Sequence, residues 1–147
     1  MKSLKIEFLL FVSILIVACS REPEPIAFGK DACEHCKMTI MDQKYGAEIV
    51  TSKGKIFKFD AAECMVDYIK QAPDNFNFEK DMFLTVNIAA PGSFIPADKA
   101  FFLKDRAFQS PMGGNLASFT SMQLAQNNLQ NSDGKILTWN ELLKQKR

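Results

Sequence analysis

A single histidine stands among the 147 residues of this chain. Without a second imidazole the case for a catalytic copper or iron centre is weak, and no Ser/His/Asp set is present. Glycine-rich phosphate loops and paired catalytic carboxylates are missing too, so hydrolysis and phosphate chemistry have no support. Neither sign of charge is in excess. The chain carries 18 basic and 17 acidic residues, and setting aside Lys2, Lys5 and Glu7 leaves 16 of each. Nothing in that balance favours nucleic acid or a polyanionic lipid patch. There is also no apolar run of the ~20 residues that a membrane-spanning helix needs. The nearest candidate, Phe8 to Val17, is interrupted by Ser13 and followed closely by Arg21, Glu22 and Glu24.

What that N-terminal stretch does have is the pattern of a secretory signal: Lys2 and Lys5, a short apolar run, then small Ala18 before Cys19. Ile16-Val17-Ala18-Cys19 resembles a bacterial lipobox, which makes residues 1–18 a signal peptide and Cys19 the lipid anchor. Residues 19–30 then serve as the lipidated cysteine and its tether, polar and proline-containing in the part that follows Cys19. Of the 4 cysteines, three remain for the folded part, Cys33, Cys36 and Cys64. An odd number in an exported chain points to a free thiol or a metal site rather than a paired disulfide scaffold. A bridge between Cys33 and Cys36 remains open, because export compartments are oxidising.

The remainder reads as an α+β fold of two similar strand-strand-helix-strand units side by side, over 31–90 and 91–147. In the first, β-type runs at 47–51 and 55–59 flank a Ser52-Lys53-Gly54 turn. Asp60 and Glu63 have capping-box spacing ahead of a helix over 61–71, closed by Pro73, and a strand follows at 83–88. In the second, strands at 100–103 and 116–119 precede a helix that begins near Thr120-Ser121 and ends near Asn131. A strand at 135–139 and a short helix over 141–145 capped by Asn140 close the chain. Phe59-Asp60 and Phe119-Thr120 occupy the same place in each unit, and neither unit is large enough to bury much surface alone.

Chemistry concentrates in Cys33-Glu34-His35-Cys36-Lys37-Met38, two thiols, the lone imidazole and a thioether in six residues. Thiolate and thioether are soft donors that suit Cu(I), whereas zinc gains little from methionine. Cys36 and Met38 are two apart, so in extended chain both leave the same face. Cys33 could join them from a turn, and His35 could ligate or stand beside the ion. Half of a structural zinc site and a thioredoxin-like dithiol are the competing readings of Cys33-x-x-Cys36. The first lacks its second ligand pair, and the second needs a long helix where this chain runs into Gly46 and a strand. Met112, in Ser110-Pro111-Met112-Gly113-Gly114, is either a loop ligand or a gap-filler. Cys64 is balanced between core and ligand, and Met65 is core. Met41, Met82 and Met122 are read as packing.

Cys33-x-x-Cys36-x-Met38-x-Ile40-x-Asp42, Gly54-Lys55-Ile56-Phe57-Lys58-Phe59-Asp60, Cys64-Met65, Pro111-Met112-Gly113 and Ala117-Ser118-Phe119 together resemble the NosL family of copper-binding lipoproteins. The resemblance implies two similar α+β units and a Cu(I) site using Cys36, Met38 and Met112. It further implies a non-enzymatic carrier that delivers copper for maturation of nitrous oxide reductase. The chain is then expected to be a monomer on the periplasmic face of a membrane, the outer rather than the inner, with no nucleic-acid partner. A CxxC thiol-disulfide oxidoreductase and a general periplasmic copper carrier are the alternatives. Family members often show an aromatic residue and a glycine around the second cysteine, where this chain has His35 and Lys37. Replacing Cys19 with serine is expected to leave an unprocessed or mislocalised precursor, detected by mass and membrane fractionation; wild-type protein of mature mass without lipid rules the anchor out.

Overall fold

The structure, a computed structural model, describes residues 21–145. The signal peptide expected over 1–18 and the lipid anchor at Cys19 lie outside them. Among the described residues the chain forms a four-stranded and a three-stranded antiparallel sheet. Strands β1 (Ala47–Val50) and β2 (Ile56–Phe59) make a hairpin, followed by helix α1 (Ala62–Gln71) and strand β3 (Met82–Val86) on the other edge of β1. The second sheet repeats this order. β5 (Phe101–Lys104) and β6 (Leu116–Phe119) pair, α2 (Met122–Asn127) crosses over, and β7 (Lys135–Leu137) returns beside β5. The registers match as well, Ala47 opposite Phe59 in one unit and Phe101 opposite Phe119 in the other. A further strand, β4 (Phe94–Pro96), was not legible as a pattern. It lies past residue 90 yet pairs with β3 of the first sheet. Helix α3 (Trp139–Lys144) ends the described chain.

Helix α1 forms where Ala62, Met65, Val66 and Ile69 recur at helical spacing, and all four are buried. Its N-cap differs from expectation: Ala61 holds that position and no side chain caps the helix. Asp60 is instead turned inward and buried, with its carboxylate accepting the Met41 amide. At α3 the cap is Thr138, in a reciprocal box with Glu141, so the helix begins ahead of Asn140. Ser121 caps α2 as an acceptor for the Leu124 amide, but that helix stops at Asn127. Beyond it Asp105 takes over, accepting the amides of Gln130 and Asn131 at 2.8 Å each. Two methionines read as packing are exposed, Met41 and Met122, while Met65 is fully buried.

The two sheets share a core. Trp139 stands between Phe83 of the first and Phe102 of the second, ring centroids 5.8 and 6.0 Å away. Thr85 and Ser118 hydrogen-bond through their hydroxyls at 2.8 Å in the buried seam, and the Ile88 amide donates to the Ser118 carbonyl. This is the packing that two undersized units require.

The N-terminal segment docks on the first sheet from Glu24 onward. The Glu24 amide donates to Glu48 Oε1 at 3.0 Å, and Lys58 Nζ donates to Asp31 Oδ2 at 2.9 Å and the Pro25 carbonyl at 3.2 Å. Ile26 lies over Gly46, where an added Cβ would meet Ile26 Cδ1 at 2.6 Å.

Glu48 sits under this strap, 0% exposed at the centre of β1, and its Oε2 has no hydrogen-bond partner among the described residues. Lys58 is its cross-strand neighbour but is engaged by Asp31 and Glu24. Burial therefore raises Glu48 from 4.5 to about 7. The fold prefers the protonated acid. That contribution is full below the ordinary carboxyl value and is lost as pH rises through about 7. Glu48→Gln keeps an acceptor for the Glu24 amide, so it is expected to be more stable than wild type at pH 8, by up to about 3 kcal/mol, and nearly equal to it below pH 4.5. Urea unfolding at both pH values measures this; a difference that does not change with pH contradicts it.

Candidate metal centre

Residues 32–39 form a tight hairpin. Ala32 bridges Thr39, the Cys33 amide donates to the Met38 carbonyl at 2.8 Å, and the Lys37 amide donates to the Cys33 carbonyl at 2.9 Å. The turn closes at Lys37 with φ 63°, a left-handed conformation that costs a residue with a Cβ about 1 kcal/mol. A glycine would fit there without that cost. The Glu34 amide donates to the Lys58 carbonyl at 2.8 Å and fastens the hairpin to the end of β2.

From the other side of the chain, the corner between β2 and α1 delivers Cys64 on the first turn of the helix. The three sulfurs of Cys33, Cys36 and Cys64 lie within 4.8 Å of one another, and none is in a disulfide. Cys33 and Cys64 are 0% exposed, while Cys36 is partly exposed. Hydrogen bonding makes them unequal. The Cys64 thiol, then the amides of Cys36 and Asp60 and the Cys36 thiol, stabilise negative charge on Cys33 and bring it down to about 5, against the cost of its burial. Cys64, bonded to that sulfur and buried beside it, is pushed far above the thiol range. Burial also raises Cys36. Among the three coupled sulfurs, negative charge is therefore favoured on Cys33.

A loop of the second unit reaches the same corner. The Ser110 hydroxyl donates to Glu63 Oε1, one residue before Cys64, and the Leu116 amide closes on the Ser110 oxygen at 3.4 Å. Two glycines have distinct reasons to be there. Gly113 has φ 69°, and a Cβ on Gly114 would stand 2.6 Å from Glu63 Oε1. Between them and Ser110, Met112 is half-buried and packs on the core cluster that contains Cys33 and Cys64 and that Cys36 also borders.

Of the expected donors, Cys33 and Cys36 come together, and Met112 lies in the loop that Ser110 ties to Glu63. Met38 is 48% exposed, next to Cys36, whose sulfur accepts the Met38 amide. His35 is half-buried in the hairpin. Cys64 is the residue that sequence reasoning left undecided; the odd thiol count was its signal.

A pair of small antiparallel sheets, carrying soft sulfur donors at a hairpin, a helix start and a loop, defines a class of small α+β proteins with a thiol-rich metal centre. The chain belongs to the NosL family, whose model matches residues 25–146. A comparison with curated proteins gives no match. The fold is similar to the crystal structure of the copper chaperone NosL from Shewanella denitrificans, with a TM-score of 0.67 and 18% identity, over 83% of this chain and 96% of that one.

In the reduced, metal-free protein at pH 7, ultraviolet absorbance is expected to show one thiolate that is lost as pH falls through about 5, and Cys33→Ser is expected to remove that step. A first thiolate appearing only near the ordinary thiol value of 9 contradicts the assignment.

Proposed function

We propose that this chain is a copper(I) chaperone. It carries the ion on Cys36 and Met38 of the hairpin and Met112 of the loop, with Cys33 and His35 adjacent. The observation that carries the reading is the gathering of three unbridged cysteine sulfurs within 4.8 Å, beside an exposed thioether, in a chain of this family. Soft, polarisable sulfur matches Cu(I), and the thioethers of Met38 and Met112 add to that match where zinc would gain little from them. The similar Shewanella protein is itself a copper chaperone. The client is nitrous oxide reductase, which receives copper for assembly of its cluster, and lipid on Cys19 holds the chain at the periplasmic face of the outer membrane. The role is one of binding and release without turnover, and a monomer suffices for it.

The thiol-disulfide alternative fits the thiols less well. An oxidoreductase of that kind attacks with an accessible, acidic cysteine. Here the acidic sulfur, Cys33, is 0% exposed, and the accessible one, Cys36, is raised. A general copper carrier would use the same site for another client.

Anaerobic Cu(I) titration against a competing chelator tests the site. Cys36→Ser should lower affinity most, because thiolate brings charge to the ion; Met38→Ala and Met112→Ala should each cost less, and Zn(II) should be held poorly. Equal Cu(I) affinity in wild type and in a Cys36→Ser/Met38→Ala double variant would sink the assignment. For the client, cells lacking the chain should release nitrous oxide under limiting copper while earlier denitrification steps continue. Wild-type nitrous oxide reduction in such cells, with a defect confined to disulfide-dependent proteins, would favour the redox reading.

A further inference from the structure

Cys64 stands outside the set of Cys36, Met38 and Met112, yet its sulfur lies within 4.8 Å of both hairpin thiols, which are themselves within 4.8 Å of each other. Three thiolates around one ion at the metal–sulfur length of about 2.3 Å are about 4 Å apart, so these sulfurs reach a common ion with a movement of about 1 Å or less. The surroundings suit charge at that place. Amides of Cys36 and Asp60 point at the Cys33 sulfur, and the Met38 amide points at Cys36. Donors already aimed there offset the cost of holding thiolates away from water. Cys36 alone belongs to both sulfur sets. On its inner side are the fully buried Cys33 and Cys64, and on its outer side Met38 is exposed to solvent.

We propose that Cu(I) occupies two alternating positions that share Cys36: an inner one held by Cys33, Cys36 and Cys64, and an outer one held by Cys36, Met38 and Met112. The proposal rests on the copper reading above and adds Cys64 to the ligands. Movement between the positions exchanges two cysteine sulfurs for two thioethers while Cys36 stays bound, so the ion is never free. The inner position retains the ion because it offers three thiolate-forming groups; the outer one presents it to an acceptor with only one charged sulfur attached. No electron is transferred; protons leave the thiols for solvent as the ion moves inward and return from solvent to Cys33 and Cys64 as it moves outward.

The test uses the full chain, reduced and anaerobic in detergent, loaded with one equivalent of Cu(I). Copper-edge and sulfur-edge X-ray absorption of wild type should show three thiolates on the ion, a count that Cys36 with two thioethers cannot give. Cys64→Val, close in volume to the buried thiol, should lower Cu(I) affinity at least tenfold and leave a shell of mixed thiolate and thioether. Met38→Ala and Met112→Ala should keep the three-thiolate spectrum and slow transfer to a competing chelator. If wild type shows a single thiolate on copper, or Cys64→Val matches wild type in affinity and spectrum while Cys36→Ser loses the ion, the inner position is wrong and the chaperone reading stands. If wild type takes up no Cu(I), both are wrong. Should Cys64→Val not fold, Cys33→Ser carries the same expectation, and the wild-type spectrum decides without either variant.

Discussion

Phe59 ends β2 wholly buried, and the chain has to turn from there into α1 through Asp60 and Ala61, which are buried as well. A corner without exposed residues cannot be solvated, so its polar groups must be satisfied inside the protein. Asp60 meets part of that demand: its carboxylate turns to the Met41 amide and its own amide to the Cys33 sulfur, while its Oδ1 is left without a partner among the described residues and burial raises the acid. The hairpin of Cys33 and Cys36 is thus part of how the corner is closed, and Cys64 arrives three residues after Ala61 in the same closed space. Chemistry and packing use the same atoms here. Disturbing the corner would move the sulfurs, and removing the sulfurs would leave the corner's amides without acceptors.

The two units have the same topology, yet the site is asymmetric. Counting from the matched phenylalanines, the place of Cys64 in the first unit corresponds to Leu124 in the second, which is exposed rather than buried. What the second unit contributes is the loop between its first two strands, bound to Glu63 through Ser110 and brought close by Gly114. The shared core around Trp139 makes this division possible, because it fixes that loop relative to α1.

Much of this was legible before the structure. The order of strands and helices, the repeat anchored on Phe59 and Phe119, and α1 itself follow from apolar periodicity and turn residues, which are local signals. The caps were less legible. Asp60 has the spacing of a cap and the burial of a core residue, and only tertiary contacts decide between the two. β4 is three residues long with an exposed proline at its end, too short to show alternation. Cys64 was undecided for a similar reason: a cysteine on the buried face of a helix looks the same whether it meets a leucine or another thiol. The separation of 28 residues from Cys36 to Cys64 carries no pattern of its own; the fold supplies the proximity.

With lipid on Cys19, as proposed above, the strap would have a geometric consequence. Its docking at Glu24 leaves only five residues back to Cys19, a reach of about 17 Å at full extension. From Asp31, clasped by Lys58, the chain runs directly into the sulfur hairpin. A domain moored on so short a line could not sweep through the space beyond the bilayer. Its encounters with an acceptor would take place in a thin layer over the lipid headgroups, where collision depends on lateral drift and on which face the domain turns outward. Lengthening the line would trade that confinement for range without altering a single atom of the site.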